Sequence, residues 1–218
     1  DTPYYHILYN DRDFAEAENF ITLLINYLNI PENSKLIDLA CGKGRHSVFL
    51  NKMGFRVLGL DLSQQSIHHN KKFENEALKF KVHDMRDEIY AQVSDQKADA
   101  VLNLFTSFGY FETEKEHINA LKSFRKTLKS DGTFVIDYFN TQKIIKNLTH
   151  QETKTIDGIE FHIKKFVSDG KIIKHINFFA NSKASSFFAD SPFNWSIVID
   201  KSSIVFFKDD SLTFALSI

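Results

Sequence analysis

Leu36-Ile37-Asp38-Leu39-Ala40-Cys41-Gly42-Lys43-Gly44-Arg45-His46-Ser47-Val48-Phe49-Leu50 decides how the rest of the chain is read. It begins as a short apolar run, which reads as a buried strand. It breaks into a turn with two glycines one residue apart, and resumes with Val48, Phe49 and Leu50 at the start of a helix. Strand, glycine turn and helix together form the layout of a nucleotide-cofactor site. Glycine lets the backbone turn sharply and lets a ligand approach the main chain. The free N–H groups of the following helix favour a negative group nearby.

Two cofactor classes share this layout. The dinucleotide fingerprint requires Gly-x-Gly-x-x-Gly, and here Ser47 stands at the third position. Asp38 sits in the strand end, before the glycines. A carboxylate there suits a ligand carrying an ammonium group, which a dinucleotide lacks. The pattern Asp-x-Ala-Cys-Gly-x-Gly-Arg-His resembles motif I of the class I S-adenosylmethionine (SAM)-dependent methyltransferases, and the chain looks like the small-molecule type, similar to methyltransferase domains 25 and 11. The resemblance implies that Asp38 faces the methionyl end of SAM, with the backbone of Ala40, Cys41, Gly42 and Gly44 packed against it.

Three further anchors follow in order. Phe55 to Ser63 reads as a second strand ending in Asp61, which lies 19 residues beyond Gly42. That is close to the roughly 20-residue interval at which an acidic residue meets a ribose, and a carboxylate can accept from both ribose hydroxyls. Phe80 to Arg86 ends a third strand. Here the resemblance implies that Asp84 accepts from the adenine amino group and Met85 covers the ring, and Leu62 also belongs to the expected cofactor set. Ala98 to Tyr110 reads as a fourth strand running into a loop at the reaction end, where Asn103 and Leu104 complete the expected cofactor set. The resemblance covers roughly residues 1–180.

The 218 residues give room for one domain with an insertion. A formal charge of −1 offers no basic field for nucleic acid and no polybasic tail for a membrane surface. The single cysteine excludes an intrachain disulfide and fits a reducing compartment. No apolar run approaches the length of a membrane span, and Asp1-Thr2-Pro3-Tyr4-Tyr5 shows no signal-peptide pattern. A cytoplasmic protein is expected, with its oligomeric state left open.

Residues 1–12 carry Tyr4, Tyr5, His6, Tyr9 and Arg12. They read either as an amphipathic segment packed on the core or, as the resemblance implies, as a lid over cofactor and substrate. Asp13 and Glu16 form a capping-box pattern for a helix whose apolar positions run from Phe14 to Leu28. Gly54 closes the helix after the glycine turn, and Ser63 caps the next, on which His68 and His69 read as surface residues. A further helix is expected from Thr113 to Lys129, with Ile118, Leu121, Phe124 and Leu128 on one face. Asp131-Gly132 is expected to turn into a fifth strand, Thr133 to Tyr138, and Gln142 to Leu148 reads as a short helix.

From about residue 150 the pattern alternates. Glu160–Val167 and Lys171–Phe178 flank Ser168-Asp169-Gly170, a hairpin signal, and Thr153–Ile156 reads as a third strand. Residues 181–218 contain no glycine, glutamate or arginine. Ser196–Asp200, Ser203–Phe207 and Leu212–Ile218 read as strands with no helix between them, whereas the related enzymes finish a seven-stranded sheet with a helix and two strands. Either these strands close the sheet in an unusual way or the natural C-terminus is altered or out of frame, and the second is favoured. The expected fold is α/β: a Rossmann-like, doubly wound, three-layer sheet with an antiparallel sheet inserted after strand five and an irregular C-terminus. The expected division is a SAM-binding domain with N-terminal lid at 1–150, a substrate cover at 151–180, and an atypical segment at 181–218.

Methyl transfer from a sulfonium is an in-line displacement from an activated leaving group, so proximity and orientation carry most of it. Candidate bases at the reaction end are His6, Tyr110 and Asp137. Substrate contacts are expected from Tyr5, His6, Tyr9, Phe108, Tyr110, Tyr138 and Asn140. Cys41 lies inside the cofactor turn and is a poor nucleophile candidate. No Cys/His spacing suggests zinc, so no metal is expected. The reading is a SAM-dependent methyltransferase acting on a small molecule. The alternatives are a nicotinamide-dependent oxidoreductase and a degenerate, non-catalytic SAM-binding protein.

Overall fold

A computed structural model describes residues 7–8, 14–89, 97–109, 111–138, 145–168, 171–180, 183–191, 203–208 and 211–215. Tyr4, Tyr5, His6, Tyr9, Arg12, Asp13, Tyr110, Asn140, Asp169, Gly170 and the expected strand Ser196–Asp200 lie outside the described residues, as do residues 142–144 of the expected helix Gln142 to Leu148, of which Ile145 and Lys146 are helical.

The apolar run before the glycine turn forms β1 (Lys35–Leu39), with every residue after the first buried. β2 (Arg56–Asp61), β3 (Leu78–Val82), β4 (Ala98–Asn103) and β5 (Leu128–Tyr138) join it in parallel, in the order β3-β2-β1-β4-β5. Strand order reverses between β1 and β4, which is where open α/β sheets place ligands, outside the carboxyl ends of the strands.

Helices cover both faces: α1 (Phe14–Leu28), α2 (Arg45–Lys52), α3 (Gln64–Asn70) and α4 (Glu114–Thr127). Alternate strand residues feed two separate cores. Leu36, Val57, Phe80 and Leu102 pack with Ile21, Leu24 and Leu50 on one face. Ile37, Leu39, Leu60 and Val101 pack with Ala120, Phe124 and Phe134 on the other. A sheet covered on both sides must present apolar groups in both directions, and these strands do. The three-layer α/β/α arrangement is the expected one.

Two local expectations change. Helix α4 buries His117, Ala120, Phe124 and Thr127, while Ile118 is 41% exposed. The capping box of Thr113 and Glu116 fixes where the helix starts, and its buried face follows from that start. Strand β5 begins at Leu128 and runs through Asp131-Gly132 rather than turning there. An irregularity in its pairing with Ala98 and Ala100 absorbs the extra residues.

The antiparallel sheet contains β6 (Gln151–Ile156), β7 (Ile159–Ser168), β8 (Lys171–Ala180) and β9 (Lys183–Ser191), in that order. Asp157 and Gly158 join β6 to β7 with φ of 50° and 75°, as a two-residue hairpin turn with both central residues at positive φ requires. The sheet has its own core of Phe161, Ile163, Ile176 and Phe178, closed by Leu8 with Ile7 beside it.

β9 extends this sheet beyond residue 180. β10 (Ser203–Lys208) then pairs antiparallel with β5, from Ser203 opposite Tyr138 to Phe207 opposite Phe134. β11 (Ser211–Ala215) pairs with β10 at the edge, making seven strands. Of the two alternatives for the tail, unusual closure of the sheet is the arrangement found. The closure is irregular in that no helix separates β9 from β10 among the described residues. No helix among the described residues is long and apolar enough to cross a membrane.

Candidate active site

The turn after β1 is built from residues at positive φ: Ala40 at 58°, Gly42 at 53° and Gly44 at 75°. A Cβ on Gly44 would stand 3.0 Å from the Phe80 ring, while one on Gly42 would meet nothing within 4 Å. Gly44 therefore lets α2 approach β3, and the space beside Gly42 stays open. The turn is fixed from three sides. The Cys41 N–H donates to the Leu60 carbonyl at 3.0 Å. The Gly42 N–H donates to Asp61 Oδ2 at 2.7 Å, and the Gly42 carbonyl accepts from Asn70 Nδ2 at 2.8 Å.

Asp61 closes β2 and also accepts from the Ser63 N–H at 2.8 Å. Both of its oxygens are thus aimed by backbone groups. Asp38 lies one strand away and is 1% exposed. It accepts from the Ser47 hydroxyl at 2.6 Å and from the Ser47 backbone N–H. Burial, with the nearby Asp61 charge adding to it, pushes the Asp38 carboxyl up to about 7. Ser47, the residue that breaks the dinucleotide fingerprint, is what holds this carboxylate. The Cys41 thiol is buried and pushed well above its usual range, by burial and then by Asp38 and Asp61. Asn103 ends β4 fully buried and donates from Nδ2 to the Leu39 carbonyl at 3.2 Å.

A cavity of about 250 Å³ opens at the carboxyl ends of β1, β2 and β3. It brings together Ala40, Asp61, Leu62, Asp84 and Met85 from the expected cofactor set. It also contains His83, Arg86, Ser107 and Phe111, which the sequence reading did not include. Asp38, Cys41, Gly42, Gly44, Asn103 and Leu104 are not among its lining residues. Burial lowers the affinity of the His83 imidazole for a proton. Asp84 is engaged by Arg86 through side chain and backbone, and this holds its carboxyl below the usual range. A D-x-R spacing in the sequence was the signal that could have found this pair.

At the reaction end, the loop after β4 carries Phe105 and Thr106 at φ of 58° and 57°. Positive φ at an aromatic and then a β-branched residue is a strained conformation. Asp137 secures it: its Oδ2 accepts from the Phe105 N–H at 2.9 Å and its carbonyl from the Thr106 N–H at 3.0 Å. Phe105 stacks on His46 with ring centroids 4.9 Å apart, and the Arg45 guanidinium lies 4.4 Å from the Phe105 centroid. Phe108 is buried edge-on against Phe111 and Phe124 and so belongs to the core beneath the site. Tyr138 is half-buried at the end of β5. Tyr5, His6, Tyr9, Tyr110 and Asn140 are outside the described residues.

A family profile described as a methyltransferase domain matches residues 30–187. The putative methyltransferase YqeM of Bacillus subtilis is 33% identical over 118 residues, 53% of this chain and 47% of that protein. The dTDP-3-amino-3,4,6-trideoxy-alpha-D-glucopyranose N,N-dimethyltransferase of Streptomyces venezuelae is 33% identical over 126 residues, 58% of this chain and 51% of that protein. The chain thus spans about half the length of the curated relatives it matches. Among solved structures, the sugar N-methyltransferase KedS8 from Streptoalloteichus superposes with a TM-score of 0.70 at 20% identity, over 87% of this chain and 78% of that one. A SAM-dependent methyltransferase from Clostridium acetobutylicum gives 0.66 at 20% identity, over 86% and 77%. With the profile spanning most of the chain and the fold shared with SAM-dependent methyltransferases, the chain belongs to the methyltransferase-domain family.

Proposed function

We propose that the chain binds SAM and transfers its methyl group to a small-molecule acceptor. The observation that carries this reading is the placing of Asp38, Asp61 and Asp84 at the ends of three adjacent strands, two of them lining one cavity. The order suits an amino acid, a ribose and an adenine. Asp38 is a buried carboxylate held by the neutral hydroxyl and N–H donors of Ser47, so an ammonium group beside it would supply a counter-charge. Asp61 would take the ribose hydroxyls, Asp84 the adenine amine, and Leu62 and Met85 would flank the ring. The buried Asn103 Oδ1, which has no partner among the described residues, adds an acceptor at the end of β4. Bound SAM would supply an activated methyl group on a good leaving group.

The chain's own part is to orient and to exclude water. The antiparallel sheet leaves from β5 and returns at Ser203, opposite Tyr138, so it is rooted at the edge where the carboxyl ends lie. Leu8, from the N-terminal segment, seats on its inner face. Both features favour an enclosed site and a compact acceptor. We read 1–150 as the cofactor domain and the inserted sheet as the acceptor's cover. The relatives named as sugar N-methyltransferases favour an amine as the acceptor. Asp137, bonded to backbone N–H groups, acts as the brace of the loop after β4, which leaves His6 and Tyr110 as the candidate bases. The substrate contacts are assigned to Tyr5, His6, Tyr9, Tyr110, Tyr138 and Asn140, with Phe108 as their floor. The near-neutral formal charge favours this over a nucleic acid substrate, and the lone buried cysteine favours a reducing, cytoplasmic setting.

A thermal-shift panel with SAM, S-adenosylhomocysteine and NAD tests the reading. Stabilisation by the first two and not by NAD is expected. Stabilisation by NAD alone would transfer the site to hydride chemistry. Tyr5→Ala and Tyr110→Ala are expected to lower turnover more than SAM affinity.

A further inference from the structure

Asp84 is already occupied. Arg86 Nε lies 3.0 Å from both carboxylate oxygens, Nη2 bonds Oδ2, and the Arg86 backbone N–H donates to Oδ1 at 2.9 Å. A carboxylate offers about four acceptor sites, and here one residue fills them. Both side chains line the cavity. A second carboxylate stands by. Glu116 Oε2 is committed to the start of α4, accepting from the Glu112 and Thr113 N–H groups at 3.0 and 2.9 Å and from the Thr113 hydroxyl at 3.1 Å. Glu116 Oε1 faces Arg86 Nη1 at 3.6 Å. The guanidinium therefore sits between one carboxylate it grips and another, rigidly held, that it nearly touches.

We propose that Arg86 is a latch on the purine end of the cavity: it holds Asp84 in the unliganded protein and shifts to Glu116 when a 6-aminopurine donates to Asp84, so that it sets both the affinity and the base selectivity of the site. This rests on the reading of Asp84 as the adenine acceptor. An amino group competes with Arg86 for Asp84, because both are donors. A 6-oxo group does not compete, because its oxygen accepts from the guanidinium where it stands. With Arg86 present, discrimination between the two bases is compressed; without it, the free carboxylate favours the amine and repels the oxo group.

Titration calorimetry with S-adenosylhomocysteine and S-inosylhomocysteine tests this on the full chain. Arg86→Gln is expected to tighten S-adenosylhomocysteine binding roughly two- to fivefold, the range for a partly exposed ion pair, and to weaken S-inosylhomocysteine binding. Arg86→Lys, which keeps the charge but not the two-pronged grip, should fall between. Glu116→Gln preserves the capping box but removes the alternative carboxylate, so it should weaken S-adenosylhomocysteine binding. If Arg86→Gln leaves the ratio of the two affinities unchanged, or binds the adenosyl ligand no tighter, the latch is overturned while the cofactor reading stands. If the wild-type protein binds neither ligand, the cofactor reading fails and the latch with it.

Discussion

The parallel sheet and the antiparallel sheet bury their strands in different ways. In β1 and β2, burial is continuous until the last residue or just beyond it. In β7, burial comes at alternate positions, Phe161 and Ile163, with His162 between them and Lys164 and Lys165 after them. A strand covered on both faces cannot carry a polar group in its middle, so its chemistry collects at its end. Asp38, Asp61 and Asn103 all sit at or next to strand ends, and each is aimed by a fixed donor or acceptor. A strand covered on one face can carry charge anywhere along it. There Glu152 meets Lys165 at 3.0 Å across the sheet, half-exposed. The first sheet concentrates polar groups where they are costly and well oriented; the second spreads them where they are cheap.

The sharpest test of that difference is Asp38. Its carboxyl is raised from 3.8 to about 7 in the folded protein. Below about pH 4 the group is neutral in both folded and unfolded chains and costs nothing. Between about pH 4 and 7 the folded chain holds a proton the unfolded chain has released, so stability falls as pH rises. Above pH 7 the whole cost, up to about 4 kcal/mol, is present. Asp38→Asn removes it. The variant should match the wild type near pH 4, exceed it in stability at pH 8 by urea denaturation, and bind SAM less well. Equal stability at both pH values would mean that the buried carboxylate is not strained by its site. Glu152 has the opposite sign. Burial raises it, but the Lys165 hydrogen bond and neighbouring lysines outweigh burial and lower it, so its small contribution is present above its ordinary range and lost on acidification.

The next effect is steric. A Cβ on Gly59 would lie 2.5 Å from the Phe80 ring and 3.0 Å from Ser47 Oγ. Gly59→Val is expected to cost about 3 kcal/mol or more by overpacking, and to disturb the hydroxyl that holds Asp38. A midpoint shift worth less than about 1 kcal/mol would show that the parallel sheet yields more than its burial suggests.

Much of the parallel sheet was legible because its strands are apolar runs ended by glycines or acids, and because spacing alone relates Asp61 to Gly42. The hairpin turns were legible for a similar local reason. What was not legible depended on distant pairings. Nothing in the sequence joins Asn70 to Gly42 or Glu116 to Arg86. Asp131-Gly132 carries a turn signal, yet the strand runs through it, its register with β4 shifting between Leu128 and Thr133. The tail offered strands but no helix to mark a return to the main sheet, and a choice of partner between β5 and β8 is not written in residue types. Phe108, read as a pocket residue for its place after β4, also packs edge-on against Phe111 and Phe124, a contact its position in the sequence does not announce.

A binding effect comes third. Asp61→Ala should weaken SAM binding by about 1.5–3 kcal/mol, the range for hydrogen bonds to a charged group. It also releases the Gly42 N–H, so some loosening of the turn is expected alongside. A folded variant with unchanged affinity in calorimetry would remove Asp61 from the site.

The smallest effect belongs to the antiparallel sheet. A Cβ on Gly158 meets nothing within 4 Å, although its φ is 75°. Gly158→Ala should therefore cost only about 1 kcal/mol, from backbone strain without a clash, with SAM affinity unchanged. A loss comparable to that of Gly59→Val would erase the distinction between the two sheets.

Ser203 takes up its place in the main sheet directly opposite Tyr138, the last residue before the chain departs. Everything between them is an excursion that comes back to its point of departure. The cost of closing such a loop rises only slowly with its length, and the seam is secured by the β5–β10 ladder whatever lies beyond it. An excursion of this kind can be lengthened, shortened or exchanged between relatives without re-registering the strands that hold the cofactor side. If the inserted sheet covers the acceptor as proposed, the consequence is modular: methyl donor and methyl acceptor sites can drift independently, and a chain with this layout can change what it modifies while keeping how it does so.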